Sequence, residues 1–184
     1  MWIYLRHIFI ISKEDDVRMT RPAIHCAFIP VTFANYHRVR EFREEGRIQE
    51  YREKLGRNEL GFFAEADGTI IASIWATIND AKMPTTVRSY MRLMPNEALV
   101  HDIVTGEQFR GMGVGPFMVG RIASRLLKDH RVSRIIIDVN VRNVPSLRMM
   151  DKAGLPIKER MLYVSAFGKL ILQKALSMPI SQRG

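Results

Sequence analysis

Cysteine occurs once in 184 residues, as Cys26, so the chain forms no internal disulfide, which suits a reducing, cytoplasmic setting. Five histidines accompany it, without the spacing that holds a metal ion, and no metal is expected. Long apolar runs are scarce. The one from Trp2 to Ile11 is broken by Arg6 and His7 and is too short to span a bilayer. Lys13-Glu14-Asp15-Asp16 follows it where a leader would carry small residues, so neither a membrane span nor a signal peptide is expected. It reads instead as an added strand at a sheet edge or an interface, with a membrane-surface contact as the alternative. Acidic residues are in deficit, 19 against 28 Lys and Arg, giving a formal charge of +9. Such a surface draws polyanions. The cations are scattered, however, and no stacking-aromatic motif or zinc signature accompanies them, so no nucleic-acid partner is expected.

The apolar share (47%) and charged share (26%) are those of a globular protein, and the length suits one domain. Residues 1–22 read as an N-terminal extension, 23–176 as the folded domain and 177–184 as a polar tail that frays. The chain is organised around Glu107-Gln108-Phe109-Arg110-Gly111-Met112-Gly113-Val114-Gly115. Ahead of it, Ala98 to Thr105 is rich in β-branched residues and free of Gly and Pro, which predicts a strand. Behind it, Val114, Phe117, Met118, Ile122 and Leu126 recur at steps of three and four, which predicts a helix ending near His130. Pro116 falls in its first turn, where an N–H has no helical partner. Three glycines in five residues permit a sharp turn, and the open amides and dipole of the helix start favour an anion. A P-loop would end in Gly-Lys-Ser/Thr, and a dinucleotide fingerprint begun at Gly111 would need glycine at Pro116. Neither matches.

Elsewhere, Ile24 to Val31 reads as a strand, and Thr32 as the cap of a helix carrying Phe33, Tyr36, Val39 and Phe42 inward. A second helix with Ile48, Tyr51 and Leu55 stops at Gly56, and Glu50 and Lys54 are i,i+4 partners on it. Asp67-Gly68 between two apolar runs predicts a tight hairpin. Asn79 to Asn96 reads as a loop in which Arg88, Tyr90 and Arg92 alternate. Arg134 to Asn140 is almost unbroken in β-branched residues, as in a strand buried on both faces and joined by a parallel crossover. Asn143 and Pro145 start another helix that Gly154 ends, and two closing antiparallel strands flank Ala166.

Arg110-Gly111-Met112-Gly113-Val114-Gly115 resembles the pyrophosphate motif Arg/Gln-x-x-Gly-x-Gly/Ala of the GNAT superfamily, the acyl-CoA-dependent N-acetyltransferases. Asn143-x-x-Ser146-x-x-x-Met150-x-Lys152-x-Gly154-Leu155 is similar to that family's Asn-x-x-Ala-x-x-Leu-Tyr-x-Lys-x-Gly-Phe segment. The resemblance covers residues 24 to 176 and implies an α+β fold: a mixed, mostly antiparallel sheet flanked by helices, with a parallel strand–helix–strand crossover at the cofactor site. It implies transfer of an acetyl or other short acyl group from acyl-CoA to a primary amine, on a small molecule or a protein. The backbone of Ile103, Val104 and Thr105 would run beside the pantetheine. Arg110, Gly111, Met112, Gly113, Val114 and Gly115 would take the pyrophosphate, with Asn143 and Ser146 close by and Arg142 and Arg148 as looser phosphate contacts. His101 stands where some members carry a base, and its imidazole has a suitable intrinsic pKa. Asp102, expected on the opposite side of the strand, is the second choice. Met150 replaces the tyrosine that in many members protonates the leaving thiolate, so Ser146, Tyr163 or a water would supply that proton. The replacement also admits a different reading, a weakly active or inactive CoA-binding or interaction module. Edge strands and the apolar N-terminus suit a homodimer.

Overall fold

The computed structural model describes residues 1–15, 17–129, 132–167 and 169–177. In chain order it forms β1 (Trp2–Ser12), β2 (Ala27–Pro30), a 3-10 turn (Tyr36–Glu41), α1 (Arg47–Gly56), β3 (Leu60–Ala66), β4 (Thr69–Ile78), β5 (Thr85–Arg88), β6 (Met91–Leu93), β7 (Glu97–Thr105), α2 (Val114–Asp129), β8 (Arg134–Asn140), α3 (Val144–Lys152), β9 (Glu159–Ala166) and β10 (Lys169–Leu176). The expected helix end at His130 and the tail after Ser177 lie outside the described residues.

The main sheet has the order β10-β9-β1-β8-β7-β4-β3-β2, mostly antiparallel. Its one parallel pair is β7 with β8, joined through α2, as the β-branched run predicted. Asp67 and Gly68 both take positive φ (47° and 77°), the two left-handed residues that a tight hairpin between β3 and β4 needs. The α+β architecture with helices on a mostly antiparallel sheet is that of the expected fold.

Three expectations are corrected. β1 is not at an edge: it lies between β8 and β9, paired with both, and Ile8, Phe9 and Ile11 are buried. The polar interruption that made it look marginal belongs to the core, because Arg6 reaches the fully buried Asp138 carboxylate (3.6 Å) and His7 is buried. The segment after Thr32 forms a 3-10 turn rather than a longer helix, since Thr32 N–H and Asn35 Oδ1 (2.7 Å) make a compact local turn there. The interval 79–96 contains the hairpin β5–β6, anchored by Asn79, whose side-chain amide donates to Leu93 O (2.9 Å).

The sheet has two unlike faces. Under α2 and α3 the layer is apolar, with Ile74, Ala76, Ala98, Val100, Ile135, Ile137 and Val139 meeting Val114, Met118, Ile122, Leu126 and Met150. The other face is divided. The 3-10 turn and α1 cover Phe63, Ile70 and Trp75, and the β5–β6 hairpin covers Ile8, Leu99, Ile136, Met161 and Tyr163. Residues 17–23 cross the outer side of α2: Ala23 N–H donates to Met112 O (2.8 Å), and Pro22 lies against Gly113.

Candidate active site

The site begins with an irregularity in β7. Ser73 and Trp75 of β4 face Val104 and His101, so three steps on β7 oppose two on β4. The extra residue forms a β-bulge, and Asp102 within it has φ +46°, a conformation that L-residues other than Asn and Asp rarely adopt. Beyond Val100, which pairs with Ile137, β7 and β8 have no further register. The two strands separate, and the edges of Asp102 to Thr105 and of Asp138 to Asn140 that face each other have no strand partner. The bulge bends one wall while β8 stays regular.

The separation opens a cleft of about 250 Å³, lined by His101, Asp102, Ile103 and Val104 on one side and Asp138 to Asn140 on the other. Asn143, Ser146, Met149 and Met150 reach it from the α3 face, and Arg6 and Arg88 from the hairpin face. The cleft therefore connects the two faces of the sheet. Asn143 Oδ1 accepts from Ser146 N–H (3.2 Å), which caps α3 and fixes both residues at the cleft.

At the end of β7 the chain turns through Gly111 (φ +82°) and Gly113 (φ +81°) into α2. The backbone N–H groups from Gly111 to Gly115 donate to no acceptor among the described residues, while Arg110 N–H still bonds Glu107 O (3.2 Å). Five successive free amides at a helix start make an anion-binding concavity. At Gly115 a Cβ would sit 2.5 Å from Met149 Sδ, so that side chain would have to move to admit one. At Gly113 a Cβ would meet Pro22 Cα at 3.4 Å, so that side of the turn is covered by the chain itself. The Arg110 side chain is exposed and folds back onto its own turn, with Nη1 3.3 Å from Glu107. A larger cavity, about 720 Å³, lies beside the turn between Arg40–Arg47 and Val104–Arg110. All residues expected at the cofactor thus border either the cleft or the turn. Arg142 and Arg148, the looser candidates, are exposed.

The bulge also decides where the two candidate bases point. His101 and Asp102 both face the α1 side, contrary to the expected alternation, because the extra residue cancels one step of the pleat. His101 Nε2 lies 3.1 Å from Thr77 Oγ1 and 3.3 Å from Glu59 Oε2. Asp102 bonds Lys54 and also Arg43 (3.2 Å), and Lys54 is itself buried between the rings of Tyr51 and Trp75. The expected Glu50–Lys54 pair forms at 2.9 Å. Burial raises the Glu59 carboxyl, but the adjacent His101 ring and the Arg57 guanidinium bonded to it outweigh that, so the group is held below its ordinary range. Asp102 is spent on two cations and is poorly placed to take a proton.

Opposite, the fully buried Asp138 accepts from Arg88 (2.5 Å) and from Tyr90 OH (2.9 Å). Arg88 is therefore committed to Asp138. Tyr163 lies behind Tyr90, outside the cleft lining, and burial with the nearby Asp138 charge pushes its hydroxyl up to about 12. Met150 is fully buried, and Ser146 is the hydroxyl that borders the cleft. Glu59, Thr77 and Asp138 escaped the sequence reading, and Lys54 entered it only as the partner of Glu50. Lys54 carried a signal: it sits one position before Leu55 and three after Tyr51, on a helix face that is otherwise buried.

A model of the acetyltransferase (GNAT) family matches residues 27–155, well over half of the chain. No curated protein matches it. Among solved structures, a GNAT-family protein from Novosphingobium aromaticivorans aligns with TM-score 0.59 and 13% identity, over 88% of this chain and 63% of that one. A GNAT-family acetyltransferase from Colwellia psychrerythraea gives 0.63 and 12%, over 88% and 56%. AAC(6')-Iy in complex with the bisubstrate analogue CoA-S-monomethyl-acetylneamine gives 0.55 and 17%, over 71% and 90%. These likenesses are of fold. The chain spans less than two-thirds of the first two structures' own lengths.

Proposed function

Since this chain belongs to the GNAT acetyltransferase family, we propose that it moves an acetyl or other short acyl group from acyl-CoA to a primary amine by direct transfer. The observation that carries the reading is the run of free amides from Gly111 to Gly115 in the turn that follows β7, the strand that walls a cleft between the two faces of the sheet. When bound, acyl-CoA supplies an activated thioester, whose acyl–sulfur bond breaks as the new bond to nitrogen forms. The residues present fit it. The amides of Gly111 to Gly115 hold the pyrophosphate, and the unpaired edge of Ile103 to Thr105 aligns the pantetheine arm along the cleft. Asn143 and Ser146 border the same passage from the α3 side.

The amine enters from the opposite face, under α1 and the β5–β6 hairpin. His101 takes the proton that the attacking nitrogen must lose, and oriented β7 amides stabilise charge that develops on the carbonyl oxygen. Ser146, directly or through a water, returns a proton to the thiolate. Lacking the tyrosine costs little here, since an ordinary thiol has a pKa near ~8.5 and leaves readily. The enzyme acts in the cytoplasm on a small-molecule or protein amine, and a homodimer remains part of the proposal. No helix among the described residues is long and apolar enough to cross a membrane.

Calorimetric titration with acetyl-CoA, followed by release of free thiol against a panel of amines, tests the reading. Binding with thiol release dependent on one amine class is the expected result. Absence of binding to acetyl-CoA and to longer acyl-CoAs overturns it. Binding without transfer to any amine would instead favour the second reading, a CoA-binding module, for which the buried Met150 is the motive.

A further inference from the structure

The C-terminus of α1 departs from the ordinary rule for helix ends. Asn58 N–H donates to Leu55 O (3.0 Å), Glu59 N–H donates to Lys54 O (3.0 Å), and Asn58 has φ +58°. This is a Schellman motif, in which the residues at the Lys54 and Glu59 positions normally form an apolar contact. Here both are charged and both are buried. Each reaches a neighbouring residue of the β7 bulge, Lys54 to Asp102 and Glu59 to His101. A locally unfavourable choice at two linked positions, aimed at adjacent residues of one cleft, marks a functional demand rather than a packing one.

Glu59 is held from both sides. Its backbone is fixed by the Schellman bonds and by the start of β3, and Oε1 receives Arg57 Nε and Nη2, both at 2.8 Å. Oε2 is buried, meets no hydrogen-bond donor in good alignment, and points at His101 Nε2 from 3.3 Å. His101 Nδ1 makes no hydrogen bond among the described residues, and the ring borders the cleft. The remaining charges there are paired among themselves: Asp102 with Lys54 and Arg43, Asp138 with Arg88 and Arg6. Glu59 is thus the carboxylate that His101 meets directly.

We infer that Glu59 is a positioning residue for the base: it holds the His101 proton on Nε2, turns Nδ1 into the cleft as the proton acceptor, and stabilises the imidazolium formed when Nδ1 takes the amine proton. The inference rests on the proposed role of His101 in acyl transfer. In the neutral ring Nε2–H faces Thr77 Oγ1 and Glu59 Oε2, both able to accept. After Nδ1 gains the amine proton, the ring carries one positive charge, and Glu59 keeps its negative charge throughout. An opposite charge within ~4–6 Å favours the charged form of such a ring, and orientation of a base by a third group is the general logic of such dyads.

The test uses the full chain without ligand first. Nitrogen-15 NMR of the imidazoles, with His101 assigned by its loss in H101A, reads the tautomer directly. The wild type should hold Nε2–H, and Glu59→Gln should populate Nδ1–H to a comparable extent. With acetyl-CoA and the best amine of the panel, Glu59→Gln should lower kcat by part of the ~100-fold to ~10,000-fold that a general base contributes. KM for acetyl-CoA should stay unchanged. Thr77→Val, which leaves Glu59 in place, should keep the Nε2–H tautomer, and this arm stands even if Glu59→Gln fails to fold. An unchanged tautomer in Glu59→Gln, or a switched one in Thr77→Val, overturns the inference. Full activity of His101→Ala alongside intact acetyl-CoA binding would instead remove the base assignment, a failure that the tautomer measurement distinguishes.

Discussion

The two faces of the sheet at β7 are made of different chemistry. Toward α2 and α3 the strand presents Ala98 and Val100 to a layer of aliphatic side chains. Toward α1 it presents His101 and Asp102 to Glu59, Lys54 and Arg43. The apolar face stabilises by area removed from water and is insensitive to orientation. The charged face stabilises only if each group finds its partner, because a buried charge left alone is expensive. One strand can serve both because the bulge at Asp102 interrupts the ladder with β4 where the site begins. The division of labour predicts that substitutions on the charged face affect turnover, whereas those on the apolar face affect folding.

The largest expected effect breaks the charged face at its centre. His101→Ala should reduce turnover ~100-fold to ~10,000-fold while acetyl-CoA affinity, measured by calorimetry, changes little. A variant with full activity at every pH would show that another group takes the proton. On the apolar face, Ile122→Ala truncates a fully buried side chain of α2. It should cost about 2–5 kcal/mol in urea unfolding, with kcat of the folded fraction unaltered.

The same contrast explains what the sequence made legible. Apolar periodicity reports burial against a featureless partner, so α2, β8 and the crossover could be drawn from spacing alone, and β8 falls on the expected residues. The glycine turn was legible because its backbone requirement is local. The bulge was not, since Ala98 to Thr105 reads as an unbroken strand and the extra residue shows only in register against β4. That one missed step put Asp102 on the wrong side. β1 was misjudged for a related reason: Arg6 looks like a flaw in an apolar run until Asp138, from a distant strand, is beside it. Partners that meet only in the folded chain leave no periodic trace.

A smaller effect is expected where the two faces join. Gly113 has φ +81°, so an alanine there would be strained by ~1–2 kcal/mol even before its Cβ meets Pro22. Gly113→Ala should therefore lower stability measurably and also weaken acetyl-CoA binding, since the amides on either side must turn to relieve the strain. Comparison with Gly111→Ala separates the two contributions, because a Cβ at Gly111 meets nothing within 4 Å although its φ is also positive, +82°. Equal losses in both variants would assign the effect to backbone strain, and a larger loss at Gly113 to contact with the segment at Pro22.

The smallest effect is a pH signature of the charged face. Burial raises the Glu50 carboxyl, but hydrogen bonds from Arg47 and Lys54 outweigh that and hold it at about 2, against an ordinary value of 4.5. A carboxylate whose pKa is depressed by folding contributes stability that is fully present above its unfolded pKa. That contribution is lost as the pH falls through the folded value, because the unfolded chain binds the proton first. The window for Glu50 therefore runs from about pH 4.5 down to about pH 2. Its side chain is a third exposed, so solvent screening limits the contribution to less than ~1 kcal/mol. Glu50→Gln should be slightly less stable than the parent at neutral pH and should lose less stability across that window, so the two urea midpoints converge toward pH 2. The deficit of Ile122→Ala, which involves no titrating group, should stay constant over the same range. If the Glu50→Gln deficit also stayed constant, its cause would be packing on α1 rather than charge, and the contrast between the two faces would fail at this position.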